Sequence, residues 1–315
     1  MEFNRTELMP GVFLSHLRSD KFKTACMSVT LLTQLRRETA AMNAVIPFVL
    51  RRGTTRYSDM EQLSRRMDEL YGAAVEPVVR RIGEIQCIGF YGSFPEPDYL
   101  PGGEALLGDT CALMAQLLLD PVTRGGLLLP QYVDSEREKL LDIIRSRMND
   151  KRSYALMRCI EEMCCYEDFA VSRFGSESEA ENIHYKKLTR HYRELIQTCP
   201  VEIFYCGKTS FKTVSAAMRE AFSAMPRGEI DYDIGTDVRM NAVEDHVRFV
   251  EEEMDVTQGK LVLGFRLGEC MEEPDIPALY VFNAVYGSGA TSKLFMNVRE
   301  KLSLCYYASS AVYLH

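Results

Sequence analysis

The sequence predicts an α+β fold made of two similar units, each a mainly antiparallel sheet with helices packed on one face. Residues 21–80 and 257–313 both follow the order strand, helix, short loop, helix, strand, and both loops contain glycine and threonine. Apolar and polar residues alternate over 74–94 on both sides of a Gly-Glu pair, as in a β-hairpin. The repeated order indicates an internal duplication whose second copy is expected to be incomplete.

Local patterns assign the elements of the first unit in turn. Apolar and β-branched residues predict strands over 12–34, and a helix-like pattern over 36–51 is expected to end or kink at Pro47, which has no N–H. Ser58 is placed to cap a second helix, which Gly72 stops. The later predicted elements are helices over 104–119, 129–165 with a break near Asn149-Asp150, 181–198 and 211–224, and a strand over 201–207.

A change of composition divides the chain. Pro226-Arg227-Gly228 opens an acidic stretch that is typical of a linker between domains. We therefore expect a first domain at residues 1–226, an acidic linker at 227–246 and a second domain at 247–315. The second domain is predicted to contain strands over 257–267 and 304–313 and helices over 275–285 and 292–302.

The composition is ordinary for a soluble globular protein and argues against several functions. The 315 residues carry a net charge of −8 and no basic tract with interleaved aromatic residues, which argues against nucleic acid as a partner. The apolar run 44–50 is too short to span a bilayer, and the polar N-terminus has no export-signal pattern. The ten cysteines are therefore expected to stay reduced in a cytoplasmic protein without a membrane partner.

A glycine-rich motif lies close to the C-terminal end of the sequence. Residues 287–306 read GSGATSKLFMNVREKLSLCY. This segment resembles the element G-G-G-x-S-S-R-L-F-x-x-[VI]-R-E-K-x-x-L-x-Y of the pitrilysin/insulinase-like zinc peptidases, a family that includes mitochondrial processing peptidase. The departures are Ser288 in place of a glycine, Thr291 in place of a serine and Lys293 in place of an arginine.

The resemblance implies roles for four residues of this motif. In the family, an arginine and a tyrosine contact the peptide and support the oxyanion that forms near the zinc; the matching positions are Arg299 and Tyr306. A guanidinium and a phenol can both donate hydrogen bonds to such an oxygen. Gly287 and Gly289 would lie near the substrate path. Without the resemblance, the same residues would be an ion-paired helix face, a half-buried strand tyrosine and a flexible turn.

The zinc-binding part of the family pattern is missing from the sequence. Family members bind zinc through H-x-x-E-H on an N-terminal helix and a glutamate on a later helix. When the family's glycine is aligned on Gly53, the two histidines fall on Ala44 and Phe48. The general base then falls on Pro47, and the third ligand falls on Ile143. None of these side chains can bind a metal ion or accept a proton.

Histidines elsewhere do not restore a metal site. His184 and His191 lie seven residues apart on a predicted helix and would share one face of it. No carboxylate or cysteine completes a recognisable ligand set beside them. We therefore expect both on a solvated helix surface.

These features predict a catalytically silent, substrate-handling subunit of a heteromeric zinc peptidase. The resemblance implies a heterodimer with a second peptidase-like chain that carries H-x-x-E-H, and a peptide substrate. No zinc or other cofactor is expected in this chain. The alternative is a non-enzymatic scaffold or peptide-binding protein that has kept the fold. Substitution of Arg299 distinguishes the two, because only the first hypothesis predicts loss of turnover with retained assembly.

Overall fold

The computed structural model describes residues 2–235, 246–267 and 273–313. The chain divides into two compact units, Met1–Asp237 and Val238–His315. The linker predicted at 227–246 lies partly outside the described residues, because 236–245 are not among them.

The first unit is organised around a six-stranded sheet. Its strands are β1 (Glu2–Met9), β2 (Val12–Arg18), β3 (Thr24–Gln34), β4 (Ala74–Ile82), β5 (Ile85–Pro95) and β8 (Val201–Gly207), in the order β1-β2-β8-β3-β5-β4. Neighbouring strands are antiparallel except β2 and β8, which are parallel. A separate ribbon pairs β6 (Thr123–Arg124) with β7 (Leu127–Leu128). The predicted mainly antiparallel sheet is confirmed.

Helices pack against one face of this sheet. The helices of the first unit are α1 (Ala40–Leu50), α2 (Met60–Glu69), α3 (Leu107–Leu119), α4 (Pro130–Ser146), α5 (Lys151–Met163), α6 (Glu177–Glu181), α7 (Tyr185–Thr198) and α8 (Phe211–Ala221). Of these, α5 packs mainly on the short 3-10 turns at 147–149 and 168–170. Along β3, Met27, Val29 and Leu31 are fully buried and belong to one core with side chains of α1, α3, α4, α7 and α8. The main core therefore lies between the sheet and this layer. Among the described residues, every helix is too short or too polar to cross a membrane.

Several predicted features of the first unit are confirmed. The hairpin of β4 and β5 turns at Gly83, whose φ of +57° is the left-handed conformation that glycine adopts without strain. The long helical region breaks between α4 and α5, where Asp150 caps the new helix by accepting hydrogen bonds from two backbone N–H groups. Gly72, with a φ of +74°, follows the end of α2.

Pro47 does not end helix α1, which runs from Ala40 to Leu50, and the alternative of a kink at Pro47 stays a prediction. Proline removes one helical hydrogen bond, here the bond to the carbonyl of Asn43. The flanking residues Val45, Ile46 and Val49 are at most 3% exposed, so their burial offsets the missing bond. Tertiary packing therefore overrides the local signal.

Two further details of the first unit differ from the predictions. The cap of α2 is Asp59 rather than Ser58, since the Asp59 carboxylate accepts the Gln62 N–H at 2.9 Å. Strand β1 is missed by the sequence analysis. As an edge strand paired only with β2, it needs few apolar residues.

The described part of the second unit contains helix α9 (Ile276–Tyr286) and a π-helical segment, Phe295–Lys301. The strand predictions over 257–267 and 304–313 are wrong for the described residues. An extended segment becomes a strand only by hydrogen-bonding to another one. Neither segment forms a strand ladder with any described residue, and Leu261 and Phe265 are 78% and 79% exposed.

Candidate functional site

The three positions predicted to replace the zinc-helix residues of the family lie on α1 and are packed in or against the hydrophobic core. Ala44 is fully buried, Pro47 is buried, and Phe48 is partly buried against the same core. Their surroundings on α1 are Val45, Ile46, Val49 and Leu50, all buried. These positions therefore contribute packing and no ligand or proton acceptor.

The predicted third-ligand position, Ile143, lies on α4 with 37% of its surface exposed. The buried side of α4 instead carries a carboxylate, Glu136, which is 5% exposed. Its Oε1 lies 3.1 Å from Arg52 Nη1 and 2.8 Å from Lys139 Nζ. Two cations neutralise this carboxylate, so it is an internal ion-pair partner rather than a ligand held ready for a metal ion.

The residues present do not fit a catalytic zinc ion, which needs three donor side chains and an open position. Ala44, Pro47, Phe48 and Ile143 have no donor atoms. Across the described ranges, no three His, Cys, Asp or Glu side chains are grouped closely enough to hold a metal ion.

A chain of polar side chains is buried where α1 meets β5 and α7. Asn43 Nδ2 lies 2.8 Å from Gln86 Oε1, and Asn43 Oδ1 lies 2.6 Å from His191 Nε2. Gln86 Nε2 donates to the carbonyls of Ala40 at 3.0 Å and Arg173 at 2.7 Å. Asn43 and Gln86 are both fully buried. We call these three side chains, Asn43, Gln86 and His191, the polar chain.

The direction of each hydrogen bond in the polar chain follows from the carbonyl groups at its end. Backbone carbonyls only accept, so the Gln86 nitrogen must face them and its oxygen must accept from Asn43. The Asn43 oxygen is then left to accept from His191, so the imidazole carries its proton on Nε2. The hydrogen bonds of the polar chain are therefore all made when His191 is neutral.

The expectation that His184 and His191 share a solvated helix face is wrong, although His184 itself is exposed to solvent as expected. His184 is the extended residue that precedes α7, with φ of −123° and ψ of 142°, so it is not on the helix. His191 is half-buried beside the core residue Tyr192 and bonded to Asn43. Burial, the largest cause, lowers the pKa of His191 below its ordinary value of 6.5.

Sequence analysis missed the polar chain, although one signal was available. Asn43 interrupts an otherwise apolar helix, AAMNAVIPFVL, and a buried amide needs hydrogen-bond partners. The identity of those partners could not be read from the sequence, because Gln86 and His191 are 43 and 148 residues away from Asn43.

The glycine-rich loop of the second unit is fixed at one glycine and open at the other. Gly287 is buried, and its carbonyl accepts from Ser310 N–H at 3.0 Å. A Cβ atom at position 287 would lie 2.6 Å from Ser310 N and would also collide with Ser310 Oγ. Gly289 is exposed, and a Cβ atom there would meet nothing within 4 Å. Close approach of the backbone therefore explains Gly287 but not Gly289.

Arg299 contacts the main chain of Tyr306 rather than its phenol. Arg299 Nε donates to the Tyr306 carbonyl at 3.1 Å, Nη1 pairs with Glu300, and the guanidinium lies 4.8 Å from the centre of the Phe295 ring. The Tyr306 side chain is 79% exposed. The structure thus links the two motif residues through the backbone and leaves the Tyr306 hydroxyl facing solvent.

Replacing His191 by glutamine should remove a pH dependence of stability. A lowered folded-state pKa means that His191 contributes stability above pH 6.5, which is lost as the pH falls through the folded value. In the wild-type protein, protonation of His191 lowers the free energy of unfolding by at most about 1.4 kcal/mol for each unit by which the pH falls below 6.5. His191→Gln keeps a donor for Asn43 but does not titrate. Identical pH profiles of the two proteins in urea unfolding would contradict this assignment.

Gly287→Ala should destabilise the second unit by about 1–3 kcal/mol, because the added methyl group must displace Ser310. Gly289→Ala is the matched control and should be tolerated, since its Cβ points into open space. Hydrogen exchange of residues 283–310 measures the local effect. Equal protection in the two variants would show that the contact between Gly287 and Ser310 does not hold this loop.

Comparisons with known proteins place these features in one family. The sequence model described as "Peptidase M16 inactive domain" matches residues 182–314, which include the glycine-rich loop and Arg299. The "Probable inactive metalloprotease YmfF" of Bacillus subtilis (strain 168) is 32% identical over 312 residues, which cover 98% of this chain and 72% of that protein.

Two solved structures share the fold. A conserved protein from Enterococcus faecalis V583 superposes with a TM-score of 0.83 at 23% identity, over 98% of this chain and 72% of the other. A peptidase M16 inactive domain from Pseudomonas fluorescens gives a TM-score of 0.69 at 13% identity, over 98% and 70% of the two chains. This chain therefore belongs to the M16 family of pitrilysin/insulinase-like peptidases, as one of its inactive, peptidase-like members.

Proposed function

We propose that this chain is the catalytically silent, substrate-handling subunit of a heteromeric zinc peptidase that acts in the cytoplasm. The observation that carries the proposal is a contrast within the chain. Arg299 and Tyr306 stand in register with the family motif, whereas Ala44, Pro47 and Phe48 replace the metal ligands and the base. Substrate-contacting residues on a chain without metal ligands can contribute to catalysis if another chain supplies the metal.

The chemistry of the two motif residues supports contact with a peptide. Among the described contacts of Arg299, Nε and Nη1 are engaged and Nη2 has no partner, so one side of the guanidinium can still donate. The Tyr306 hydroxyl is exposed and can also donate. Two such donors suit a peptide carbonyl or the oxyanion that forms when water attacks it.

The proposed partner is a second peptidase-like chain with an intact H-x-x-E-H motif. It would supply the zinc ion, which activates water, and the glutamate that accepts a proton. This chain would hold the peptide through its second domain, at residues 247–315, and its first domain, at 1–226, would serve for stability and assembly.

In the assembled pair, Tyr306→Phe should lower kcat by about two orders of magnitude, the usual effect of removing one oxyanion donor. The substitution removes only a hydroxyl group from an exposed side chain, so folding and pairing should be unchanged. The measurement is peptide cleavage by the pair isolated from the native host with this chain as bait, with and without a chelator.

The neighbouring Tyr307→Phe is the matched control, because it removes a hydroxyl group one residue away and should leave kcat unchanged. Size-exclusion chromatography checks that both variants still assemble. Full turnover by the Tyr306→Phe pair would contradict the role proposed for Tyr306. Recovery of this chain alone would contradict the heteromeric proposal itself.

A second candidate is a scaffold or peptide-binding protein without a part in catalysis. It is favoured by the contacts of Arg299, which joins the Tyr306 carbonyl, Glu300 and the Phe295 ring and so has a structural role. In this case Arg299→Lys would weaken the fold of the second unit. Substitutions at Arg299 and Tyr306 would then leave the turnover of any assembled partner unchanged.

A further inference from the structure

Two thiols lie side by side at the centre of the sheet, on the face opposite the helices. Cys26 on β3 and Cys206 on β8 are directly opposite each other in the antiparallel pairing. Their neighbours along the two strands, Met27 and Tyr205, point into the core, so both thiols point to the other face. Cys26 is half-buried, Cys206 is 9% exposed, and both are free.

The hydrogen-bond register sets the separation of the two cysteines. Leu32 N–H donates to the Pro200 carbonyl at 2.9 Å, so Leu32 and Pro200 form a hydrogen-bonded pair. Hydrogen-bonded and non-hydrogen-bonded pairs alternate along an antiparallel ladder, and Cys26 lies an even number of residues from Leu32 in the same register. Cys26 and Cys206 are therefore a hydrogen-bonded pair, whose Cα atoms are about 5.5 Å apart.

This separation allows a disulfide but strains it. The Cα distance matches the most common value for disulfides, about 5.5–6 Å. The Cβ atoms of a hydrogen-bonded pair are roughly 5.5 Å apart, however, whereas a relaxed disulfide brings them to about 3.8 Å. Strained disulfides are more easily reduced than relaxed ones. The bond can thus form with a small shift of the strands and be reversed readily.

The two thiols also interact with each other and with a third side chain. The pKa of Cys206 is raised by burial and, next, by the Cys26 thiol. The pKa of Tyr91 is raised as well, first by burial, then by the charge of Cys26, and then by a hydrogen bond with Cys26. Tyr91 lies on the same open face and is 41% exposed. Cys26 is itself only half-buried on this face, so part of its side chain is open to a small molecule.

We propose that Cys26 and Cys206 are a reversible disulfide site, oxidised by a low-molecular-weight disulfide. The Cys26 thiolate attacks one sulfur of that molecule, forms a mixed disulfide and expels one small thiolate. The Cys206 thiolate then attacks the Cys26 sulfur, which forms the protein disulfide, breaks the mixed one and expels the second thiolate. The protein loses two electrons and two protons, and the small disulfide becomes two thiols.

The test is a thiol count after oxidation of the full chain with glutathione disulfide, followed by alkylation and peptide mass spectrometry. We expect loss of two free thiols and one peptide pair that joins Cys26 to Cys206, both reversed by dithiothreitol. Cys206→Ser should stop the reaction at a mixed disulfide on Cys26. Cys26→Ser should leave Cys206 reduced, because Cys206 is almost buried.

Cys87→Ser is the matched control, since Cys87 lies on the same sheet face and is 5% exposed. This variant should form the same peptide pair as wild type. Wild type in which Cys26 and Cys206 are both alkylated after oxidation would overturn the proposal. A mixed disulfide that persists on Cys26 in wild type would overturn it as well.

Discussion

The burial of helix α1 is the constraint that shapes the interior of the first unit. Ala44, Val45, Ile46 and Leu50 are at most 1% exposed, and the helix is packed between β5, α4 and α7. A side chain at such a position must be apolar or fully hydrogen-bonded, because an unpartnered buried polar group costs about 1–3 kcal/mol. The helix on which the sequence predicts the degenerate zinc positions therefore serves as part of the core.

The same constraint explains the polar chain. Asn43 is the one amide on this buried face of α1, and it is tolerated because Gln86 and His191 satisfy it from β5 and α7. Each such hydrogen bond adds only about 1 kcal/mol of net stability, less than the roughly 1.5–3 kcal/mol from burying one large apolar side chain. Hydrophobic packing thus holds α1 in place, and the hydrogen bonds of the polar chain fix the orientation of the Asn43, Gln86 and His191 side chains.

Sequence patterns predicted the fold well where the structure depends on local periodicity. The hairpin at Gly83, the break before Asp150 and strand β8 all follow from alternation, turn residues and capping. The predictions failed where distant residues decide the outcome. Burial carries α1 through Pro47, and the segment 257–267 has strand-like residues but no described partner strand.

The candidate site was predictable in its chemistry and less so in its geometry. The apolar side chains at Ala44, Pro47 and Phe48 are evident from the sequence, and so is the motif that contains Arg299. The family motif predicts that the side chains of Arg299 and Tyr306 face a common ligand. It does not predict the hydrogen bond from Arg299 to the Tyr306 carbonyl, which depends on the path of the backbone between them.

The proposed function requires that this chain holds no zinc ion of its own, so that a partner chain supplies catalysis. The most direct measurement is elemental analysis of the purified full chain after incubation with zinc and removal of the excess. We expect no stoichiometric zinc, since the side chains of Ala44, Pro47, Phe48 and Ile143 offer no ligand atoms. One tightly bound zinc ion per chain would contradict it.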